Sequence, residues 1–214
     1  MNREPVAAVI LAGGLSTRLG RDKASELLLG RSLLQRVIDR LEGLVSEYVV
    51  VTAAGQTLPP IAATAPLRPV EDAYPGVGPL GGIYTGLSMM NTRRAVTVAC
   101  DMPLLQPALL AELLRLAPGH DAVVPHNGLP EPLCAVYAQS CLPAIEQRIN
   151  AAAYKVTGFF DSIDVLYLQP EDWRRFDPDG LSFLNVNREE DLRRAEALLA
   201  TNTAKSPLPR EGEG

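Results

Sequence analysis

Short apolar runs typical of buried strands alternate with helical patterns along most of this 214-residue sequence. Strands that alternate with helices form a mostly parallel sheet with helices on both faces. The length suits one domain. The alternation therefore predicts a single α/β domain over residues 1–200. From Thr201 onward Ser, Pro, Gly and charged residues dominate, and we expect residues 201–214 to form a disordered tail.

The spacing of apolar residues gives approximate limits for each element. Strands are predicted at residues 6–11, 48–52, 67–70, 95–100, 121–125, in the latter part of 129–137, and at 165–168 and 181–187. Helices are predicted at 32–44, 79–90, from 107, at 142–149, 154–160 and 188–200. Residues 53–66 are expected to form a loop, with room for one helical turn.

Composition narrows the class of protein. Aromatic residues make up only 5% of a chain that is 47% hydrophobic, so the core must be aliphatic, as in sheets covered by helices. A net charge of −5 argues against a nucleic-acid partner, and no apolar run is long enough to span a bilayer. Three cysteines without a Cys-x-x-Cys pair predict free thiols rather than disulfides or zinc, which favours a cytoplasmic protein.

A glycine-rich segment, residues 11–23, follows the first predicted strand. Gly13 and Gly14 allow a tight turn and a close approach to a ligand, while Arg18 and Lys23 supply two cations suited to phosphate. The spacing matches neither Gly-x-Gly-x-x-Gly nor the P-loop, which ends in Gly-Lys-Ser/Thr. We interpret it as a different kind of nucleotide or phosphate loop. Two glycines alone would favour an ordinary surface turn.

Several other candidate residues also stand at or just after predicted strand ends. In a parallel sheet these ends share one edge, where open α/β sheets bind ligands. The candidates are Gly13, Gly14, Thr52, Asp72, Gly78, Asp101, Asn185 and Asn187.

Asp101 is the strongest candidate for a metal ligand. It follows an apolar strand directly and offers the hard oxygen that Mg²⁺ prefers. Asn187 offers a second oxygen, but it also stands where a helix N-cap is needed, with Glu190 three residues later as in a capping box. Both roles stay open for Asn187, and Asn185 or water is the alternative ligand.

No covalent nucleophile is evident in the sequence. Cys100 belongs to an apolar strand, Cys134 and Cys141 have no flanking base, and His120 and His126 lie in or beside a loop. A glycine-rich loop, two cations and a strand-end carboxylate instead indicate a Mg²⁺–nucleotide site. The chemistry they suit is phosphoryl or nucleotidyl transfer by positioning and charge neutralisation.

Five motifs together resemble the MobA-like nucleotidyltransferases, and within them the molybdenum cofactor guanylyltransferases. They are Leu-Ala-Gly-Gly-x-Ser-x-Arg-Leu-Gly-x-Asp-Lys at 11–23, the glycine-rich stretch at 71–82, Cys-Asp-Met-Pro at 100–103, Glu-Pro-Leu-x-Ala-Val-Tyr at 131–137, and Asn-Val-Asn within 183–192. The resemblance covers essentially residues 6–200. It implies a three-layer α/β/α fold with a Rossmann-like sheet, of the nucleotide-diphospho-sugar transferase type.

The resemblance also implies roles for individual residues. Leu11, Ala12, Gly13 and Gly14 would surround the guanine and ribose, Arg18 and Lys23 would hold the triphosphate, Asp72 and Gly78 would lie near the base, and Asp101 would bind Mg²⁺. The pterin would bind between residues 125 and 187, with Lys155 as one possible phosphate contact. Family members often have Asn after the second strand, where this chain has Thr52. Nucleotide binding is therefore better specified than the choice of guanine.

The implied reaction joins GTP to molybdenum-loaded molybdopterin, giving the guanine dinucleotide cofactor and pyrophosphate. Apo-molybdoenzymes or other cofactor-biosynthesis proteins are the protein partners that this role implies. The nearest alternative is the same chemistry with CTP or with a sugar-phosphate acceptor. A second alternative is a binding protein that delivers the pterin without turnover.

Overall fold

The computed structural model describes residues 4–13 and 22–205, with side chains as far as Thr201. Its strands are β1 (Ala7–Leu11), β2 (Leu27–Leu28), β3 (Arg31–Ser32), β4 (Glu47–Thr52), β5 (Leu67–Glu71), β6 (Arg94–Ala99), β7 (Ala122–Asn127), β8 (Leu129–Pro130), β9 (Cys134–Ala138) and β10 (Val165–Leu168). Its α-helices are α1 (Leu33–Leu41), α2 (Pro79–Met89), α3 (Pro107–Leu116), α4 (Leu142–Asn150), α5 (Pro170–Trp173) and α6 (Glu189–Lys205).

The central sheet has the strand order β10-β7-β9-β6-β1-β4-β5, with β8 paired to the end of β7. Every strand on that path runs parallel to its neighbours except β9, which is antiparallel to both β6 and β7. The order places β1 in the interior of the sheet, between β4 and β6. Ala12 and Gly13, which follow β1, therefore lie at the carboxyl edge between two neighbouring parallel strands.

Helices cover both faces of this sheet. The apolar residues of α1 and α3 form one buried cluster with the sheet, and those of α2 and α4 form another on the opposite face. A third, smaller cluster joins α6 to the β2–β3 hairpin. The predicted three-layer α/β/α architecture is confirmed.

Helix α2 packs directly on β1. A Cβ built at Gly86 would lie 2.2 Å from Cγ1 of Val9, so only glycine fits between this helix and this strand. Gly81 is similarly close to Tyr74, whose Cβ and carbonyl oxygen would each lie 3.0 Å from an added Cβ. Packing thus accounts for both glycines.

Most predicted elements appear within a few residues of their expected limits, but residues 181–187 do not form a strand. They form a 3₁₀ turn at Leu181–Phe183 followed by an extended segment that pairs with no strand. Val186 instead donates its N–H to the carbonyl oxygen of Asp101 over 2.8 Å. The apolar alternation in this segment reflects docking beside β6 rather than addition to the sheet.

Smaller differences concern the helices and the β2–β3 hairpin. The loop at 53–66 contains no helical turn, and the helix predicted at 154–160 is a 3₁₀ helix, Val156–Ser162. The hairpin and α5 were not predicted. Helix α6 extends to Lys205, so the expected tail cannot begin at Thr201, and residues 206–214 lie outside the described part. Among the described helices, none combines the length and apolarity needed to cross a membrane.

Candidate functional site

Backbone hydrogen bonds continue the sheet ladder beyond the ends of its central strands. Ala12 donates to the carbonyl of Val51 at 2.8 Å, Asp72 to that of Thr52 at 2.9 Å, and Cys100 to that of Leu11 at 3.0 Å. These bonds hold the segments that follow β1, β4, β5 and β6 side by side. The expectation that the strand-end residues share one edge is confirmed for these segments.

A cavity of about 510 Å³ opens at this edge. Its walls come from the ends of β1, β4 and β6, the loop before α2, the first turn of α2, and the residue before β9. The lining residues are Leu11, Gly13, Lys23, Val51, Ala53, Ala54, Asp72, Pro75, Gly76, Gly78, Pro79, Gly82, Ala99, Cys100, Asp101 and Leu133. The wall is mostly apolar and glycine-rich, while Lys23, Asp72 and Asp101 supply its charges.

Lys23 connects two of the predicted candidates. Its Nζ lies 2.7 Å from Oδ2 of Asp101 and 2.6 Å from Oδ1 of Asn187. These residues are 78 and 164 positions from Lys23 in sequence. The fold therefore gathers the predicted phosphate cation and two predicted metal ligands into one cluster at the cavity wall.

Asp101 has one carboxylate oxygen free for a further ligand. The residue is only 9% exposed, and its Oδ1 is buried without a hydrogen-bond partner. A buried carboxylate oxygen without a partner is costly unless a cation or donor meets it. Mg²⁺ usually binds through one or two protein oxygens together with water and substrate phosphates. Asp101 could supply one such protein oxygen through Oδ1. The described residues contain no cluster of three or more His, Cys, Asp or Glu suited to a metal.

The side chain of Asn187 faces Lys23 rather than the start of α6. The carboxylate of Asp191 accepts hydrogen bonds from the backbone N–H groups of Asn187 and Arg188, each at 2.9 Å. Asp191, not the predicted Glu190, thus reaches back to the amino end of this helix. The amide oxygen of Asn187 remains available to the cluster with Lys23.

The predicted glycines have different physical reasons. A Cβ on Gly13 would lie 2.9 Å from the backbone N of Ala53, so Gly13 lets the loops after β1 and β4 touch. Gly78 has φ +77° at the start of α2, a backbone conformation that favours glycine. Gly82 lines the cavity, and an added Cβ would meet a flexible tip of Leu11 at 3.0 Å.

The side chains of Asp72 and Thr52 have different surroundings. Asp72 lines the cavity, and its Oδ1 accepts hydrogen bonds from the backbone N–H of Tyr74 and from Oγ1 of Thr85, both at 3.0 Å. The hydroxyl of Thr52 donates to the carbonyl oxygen of Val70 at 3.3 Å, and the residue is not part of the cavity wall. The Thr52 hydroxyl thus bonds within the sheet and does not face the cavity.

Asn185 and Lys155 are exposed and lie outside the cavity wall. Lys155 precedes the 3₁₀ helix Val156–Ser162, and Asn185 stands two residues before Asn187. Of the earlier candidates, Leu11 lines the cavity and Ala12 is buried beside it. Gly14 and Arg18 fall outside the described residues.

Sequence reasoning missed Gln56. Its side-chain amide contacts Ala12, Asp22 and Ala53, which lie immediately beside or within the cavity wall. A glutamine in a loop rich in Gly, Ala and Pro carries no local signal for such a role. Leu133 was also missed, because it precedes a strand whose reversed direction brings its beginning to the cavity edge.

Comparison with known proteins identifies the family. The family model described as the MobA-like NTP transferase domain matches residues 8–162. The chain belongs to this family. A Chloroflexus aggregans protein named "probable molybdenum cofactor guanylyltransferase" is 36% identical over 92% of this chain and 96% of its own length. The molybdenum cofactor guanylyltransferase of Desulfosudis oleivorans is 34% identical over the same shares of the two chains.

A solved structure supports the same assignment. The molybdopterin-guanine dinucleotide biosynthesis protein A of Archaeoglobus fulgidus superposes with a TM-score of 0.76 and 28% identity, covering 92% of this chain and all of the other. A nucleotidyl transferase from Methanothermobacter thermautotrophicus, at 16% identity and a TM-score of 0.68, shares the fold. The protein is therefore a MobA-like nucleotidyltransferase.

The cysteines of this MobA-like chain are poor nucleophiles. Cys100 lies at the cavity wall, but burial, followed by the negative charge of Asp101, raises the pKa of its thiol well above the ordinary value. Burial also raises the pKa of Cys134, and it raises the pKa of Cys141 to about 12. The thiolate is the reactive form, and a raised pKa disfavours it. These buried thiols therefore serve as packing groups.

The two histidines also lie outside the cavity wall. The Nδ1 of His120 lies 2.8 Å from Oδ2 of Asp164. The ring of His126 meets Tyr167 edge-on at 6.3 Å. The described part of the MobA-like site thus offers charge and backbone groups, which suit direct nucleotidyl transfer between phosphates.

Proposed function

We infer that this protein transfers GMP from GTP to molybdopterin, giving the guanine dinucleotide form of the cofactor and pyrophosphate. The observation that carries the inference is Asp101 at the cavity edge, with one carboxylate oxygen on Lys23 and the other buried without a partner. The choice of GTP rests on the relatives described above, which are named as guanylyltransferases. The names of these relatives do not favour the alternatives with CTP, a sugar phosphate or a delivery protein.

We propose that the apolar, glycine-rich part of the cavity takes the nucleotide. The nucleotide side is defined here as Leu11, Gly13, Ala53, Ala54, Asp72, Gly78 and Gly82. Glycines and alanines leave room for a flat base and for backbone groups to approach it. Asp72 lies on this side near the base, and Lys23 together with Arg18 holds the triphosphate. Gly14 is assigned to the same ribose contact as Gly13.

We further propose Mg²⁺ as the metal, held by Asp101 with Asn187 or Asn185 and water completing its ligands. Asp101 fits because its Oδ1 is unpartnered, and Asn187 fits because its amide oxygen faces the same Lys23 ammonium. When bound, the metal would neutralise charge that develops on the reacting phosphates. If the ammonium of Lys23 bound the triphosphate instead of Asp101, Oδ2 of Asp101 and Oδ1 of Asn187 would face the same space.

The reaction needs no protein nucleophile. A terminal phosphate oxygen of the pterin forms a bond to the α-phosphorus of GTP, and the bond from that phosphorus to the bridging oxygen breaks. Pyrophosphate leaves with the electron pair. A phosphate is already ionised near pH 7, so no general base is required. The residues of this chain contribute orientation and neutralisation of charge, which dominate catalysis of phosphoryl transfer.

The pterin is proposed to bind toward residues 125–187. The acceptor side is defined here as Lys155, Asn185 and Asn187, of which the first two are exposed. Lys155 would contact the pterin phosphate, and Asn185 would contact the pterin or the metal. Apo-molybdoenzymes or other cofactor-biosynthesis proteins are proposed as the recipients of the product.

Pyrophosphate release in the presence of molybdopterin and Mg²⁺ tests this function. We expect release with GTP and little with CTP or ATP, and we expect none with GTP when molybdopterin is omitted. Turnover with CTP alone would contradict the assignment of guanine. Tight binding of GTP and molybdopterin without any pyrophosphate would instead support a delivery protein.

A further inference from the structure

We propose that Gln56 is a positioning residue for nucleotide binding, fixing the two flanks of the glycine-rich segment to the loop after β4. The proposal rests on the proposed function, because it assumes that GTP occupies the cavity. Gln56 itself does not line the cavity. Each of its three partners, however, is part of the wall or adjacent to a residue that is.

The side-chain amide of Gln56 makes three hydrogen bonds to three segments. Its Nε2 donates to the carbonyl oxygen of Ala12 at 3.1 Å and to Oδ1 of Asp22 at 2.8 Å. Its Oε1 accepts from the backbone N–H of Ala53 at 2.9 Å. Ala12 and Asp22 stand on the two sides of residues 14–21, so one side chain bridges both flanks.

The chemistry of this position calls for glutamine. The carbonyl of Ala12 and the carboxylate of Asp22 both require donors, while the N–H of Ala53 requires an acceptor. A carboxylate at position 56 would face two acceptors, and an apolar side chain would satisfy none of the three groups. The partners therefore also determine which way the amide is oriented.

Asp22 connects Gln56 to the turn that carries Lys23. The Oδ1 of Asp22 also accepts from the backbone N–H of Ala24 at 3.1 Å, and its Oδ2 accepts from Oγ of Ser25 at 3.0 Å. These bonds cap the 3₁₀ turn Lys23–Ser25, from which the ammonium of Lys23 reaches Asp101. Gln56 thus links Ala53, on the nucleotide side, to Lys23, the cation proposed to hold the triphosphate.

The backbones of the two loops also approach each other directly. Gly13 lies so close to Ala53 that a Cβ would come within 2.9 Å of its backbone N. Gln56 also closes a turn, since its backbone N–H donates to the carbonyl of Ala53 at 3.1 Å. A shift of the Gln56 side chain would therefore be transmitted to Gly13 and Lys23, both of which line the cavity.

The chain offers a matched control at Gln35. Its Nε2 donates to Oδ1 of Asp39 at 2.9 Å and to the carbonyl of Ala62 at 2.8 Å, and its Oε1 accepts from the N–H of Ala62 at 2.8 Å. This is the same set of bonds: one carboxylate, one carbonyl and one backbone N–H. None of these three residues lines the cavity. Gln35→Glu and Gln56→Glu therefore each remove the two bonds that Nε2 donates, and each keep an oxygen that can accept from the backbone N–H.

The experiment measures the Kd of Mg–GTP by calorimetry and the Tm for the wild-type chain and both variants. We expect Gln56→Glu to raise the Kd at least about tenfold, while Gln35→Glu lowers the Tm and leaves the Kd within about twofold. Adding Asp22→Asn to Gln56→Glu should recover part of the affinity, because the new amide can donate to the glutamate. The Ala12 carbonyl would still lack its donor, and an amide nitrogen in place of Oδ1 could not accept from the N–H of Ala24, so recovery should be incomplete.

Two outcomes would overturn the proposal. One is an unchanged Kd for Gln56→Glu in a folded protein, and the other is an equal loss of affinity in Gln35→Glu, which would indicate general destabilisation. If the wild-type chain itself fails to bind Mg–GTP, the proposed function fails instead. Gln56→Met, which removes the three bonds without adding charge, should also weaken binding if the bonds matter rather than repulsion alone.

Discussion

The nucleotide side and the acceptor side of the site are built from different kinds of structure. Residues of the nucleotide side end or follow parallel strands or begin α2, and backbone hydrogen bonds hold the strand-end segments side by side. On the acceptor side, Lys155 and Asn185 are exposed on irregular segments that pair with no strand of the sheet. One substrate would therefore meet a preformed wall, and the other would meet side chains on connecting segments. Substitutions should affect the two sides to different degrees.

The largest effect is expected at Asp101, between the two sides. Asp101→Asn keeps the shape and the backbone contact with Val186 but removes the charge proposed to bind the metal. We expect turnover to fall about 10³-fold, as when one preorganised electrostatic contact to a transition state is lost. Pyrophosphate release measures the loss, and circular dichroism with the Tm shows whether the fold persists. Near-normal turnover in a folded variant would refute the metal role.

Lys23→Met is expected to come next. Loss of the ammonium should lower kcat/KM for GTP about 10²-fold, or roughly 2.7 kcal/mol, since this cation is proposed to hold the triphosphate. The same change frees Oδ2 of Asp101 and Oδ1 of Asn187. The nucleotide-free variant should therefore bind Mn²⁺, as a probe for Mg²⁺, more tightly than the wild-type protein in electron paramagnetic resonance titrations.

Lys155→Met is the matched control for that titration. It removes the same charge from an exposed position outside the cavity wall, so its affinity for Mn²⁺ should equal that of the wild-type protein. Equal gains in both lysine variants would mean that net charge, and not the contact with Asp101, controls metal binding.

Gly86→Ala tests whether packing fixes the wall of the nucleotide side. The added Cβ would lie 2.2 Å from Val9 and must push α2 away from β1. Overpacking of this kind costs about 1–3 kcal/mol of unfolding free energy, which a Tm measurement detects. Gly82→Ala is the control for stability, because its Cβ would meet only a flexible end of Leu11 at 3.0 Å. A loss for Gly82→Ala as large as that for Gly86→Ala would contradict this account.

The smallest effect is expected on the acceptor side. Lys155→Ala should raise the KM for molybdopterin about two- to fivefold, since an exposed charge contributes less than about 1 kcal/mol. The KM for GTP and the Tm should stay unchanged. Steady-state kinetics with each substrate varied in turn separates the two sides. A change in the KM for GTP would break the division between them.

The same division describes what the sequence could predict. Gly13, Asp72 and Asp101 were predicted because each follows an apolar run, and the ends of parallel strands must share an edge. Their placement at one cavity needed only the order of the elements. The strand limits at Val165–Leu168 and the start of α2 at Pro79 were predicted because a short apolar run and a proline leave local signals.

Residues whose roles depend on distant partners could not be predicted in this way. The link from Lys23 to Asn187 spans 164 positions, and the contacts of Gln56 span 34 and 44. Residues 181–187 were predicted to form a strand because their apolar and polar residues alternate. Alternation indicates only that one face is buried, whereas strand pairing depends on a neighbouring backbone elsewhere in the chain. Thr52 was assigned to the ligand by position, but its hydroxyl bonds within the sheet.

The reversed strand β9 has an electrostatic consequence for this edge of the molecule. Helix α2 begins at the cavity with Gly78 and Pro79, so its positive dipole end faces the nucleotide side. Strand β9 ends at the opposite edge, and α4, which packs beside α2, therefore runs toward the cavity edge with its negative end leading. Anions on the nucleotide side are favoured by the backbone itself. An anion near the carboxyl end of α4 must be held by cationic side chains, whereas the amino end of α6 adjoins Asn187.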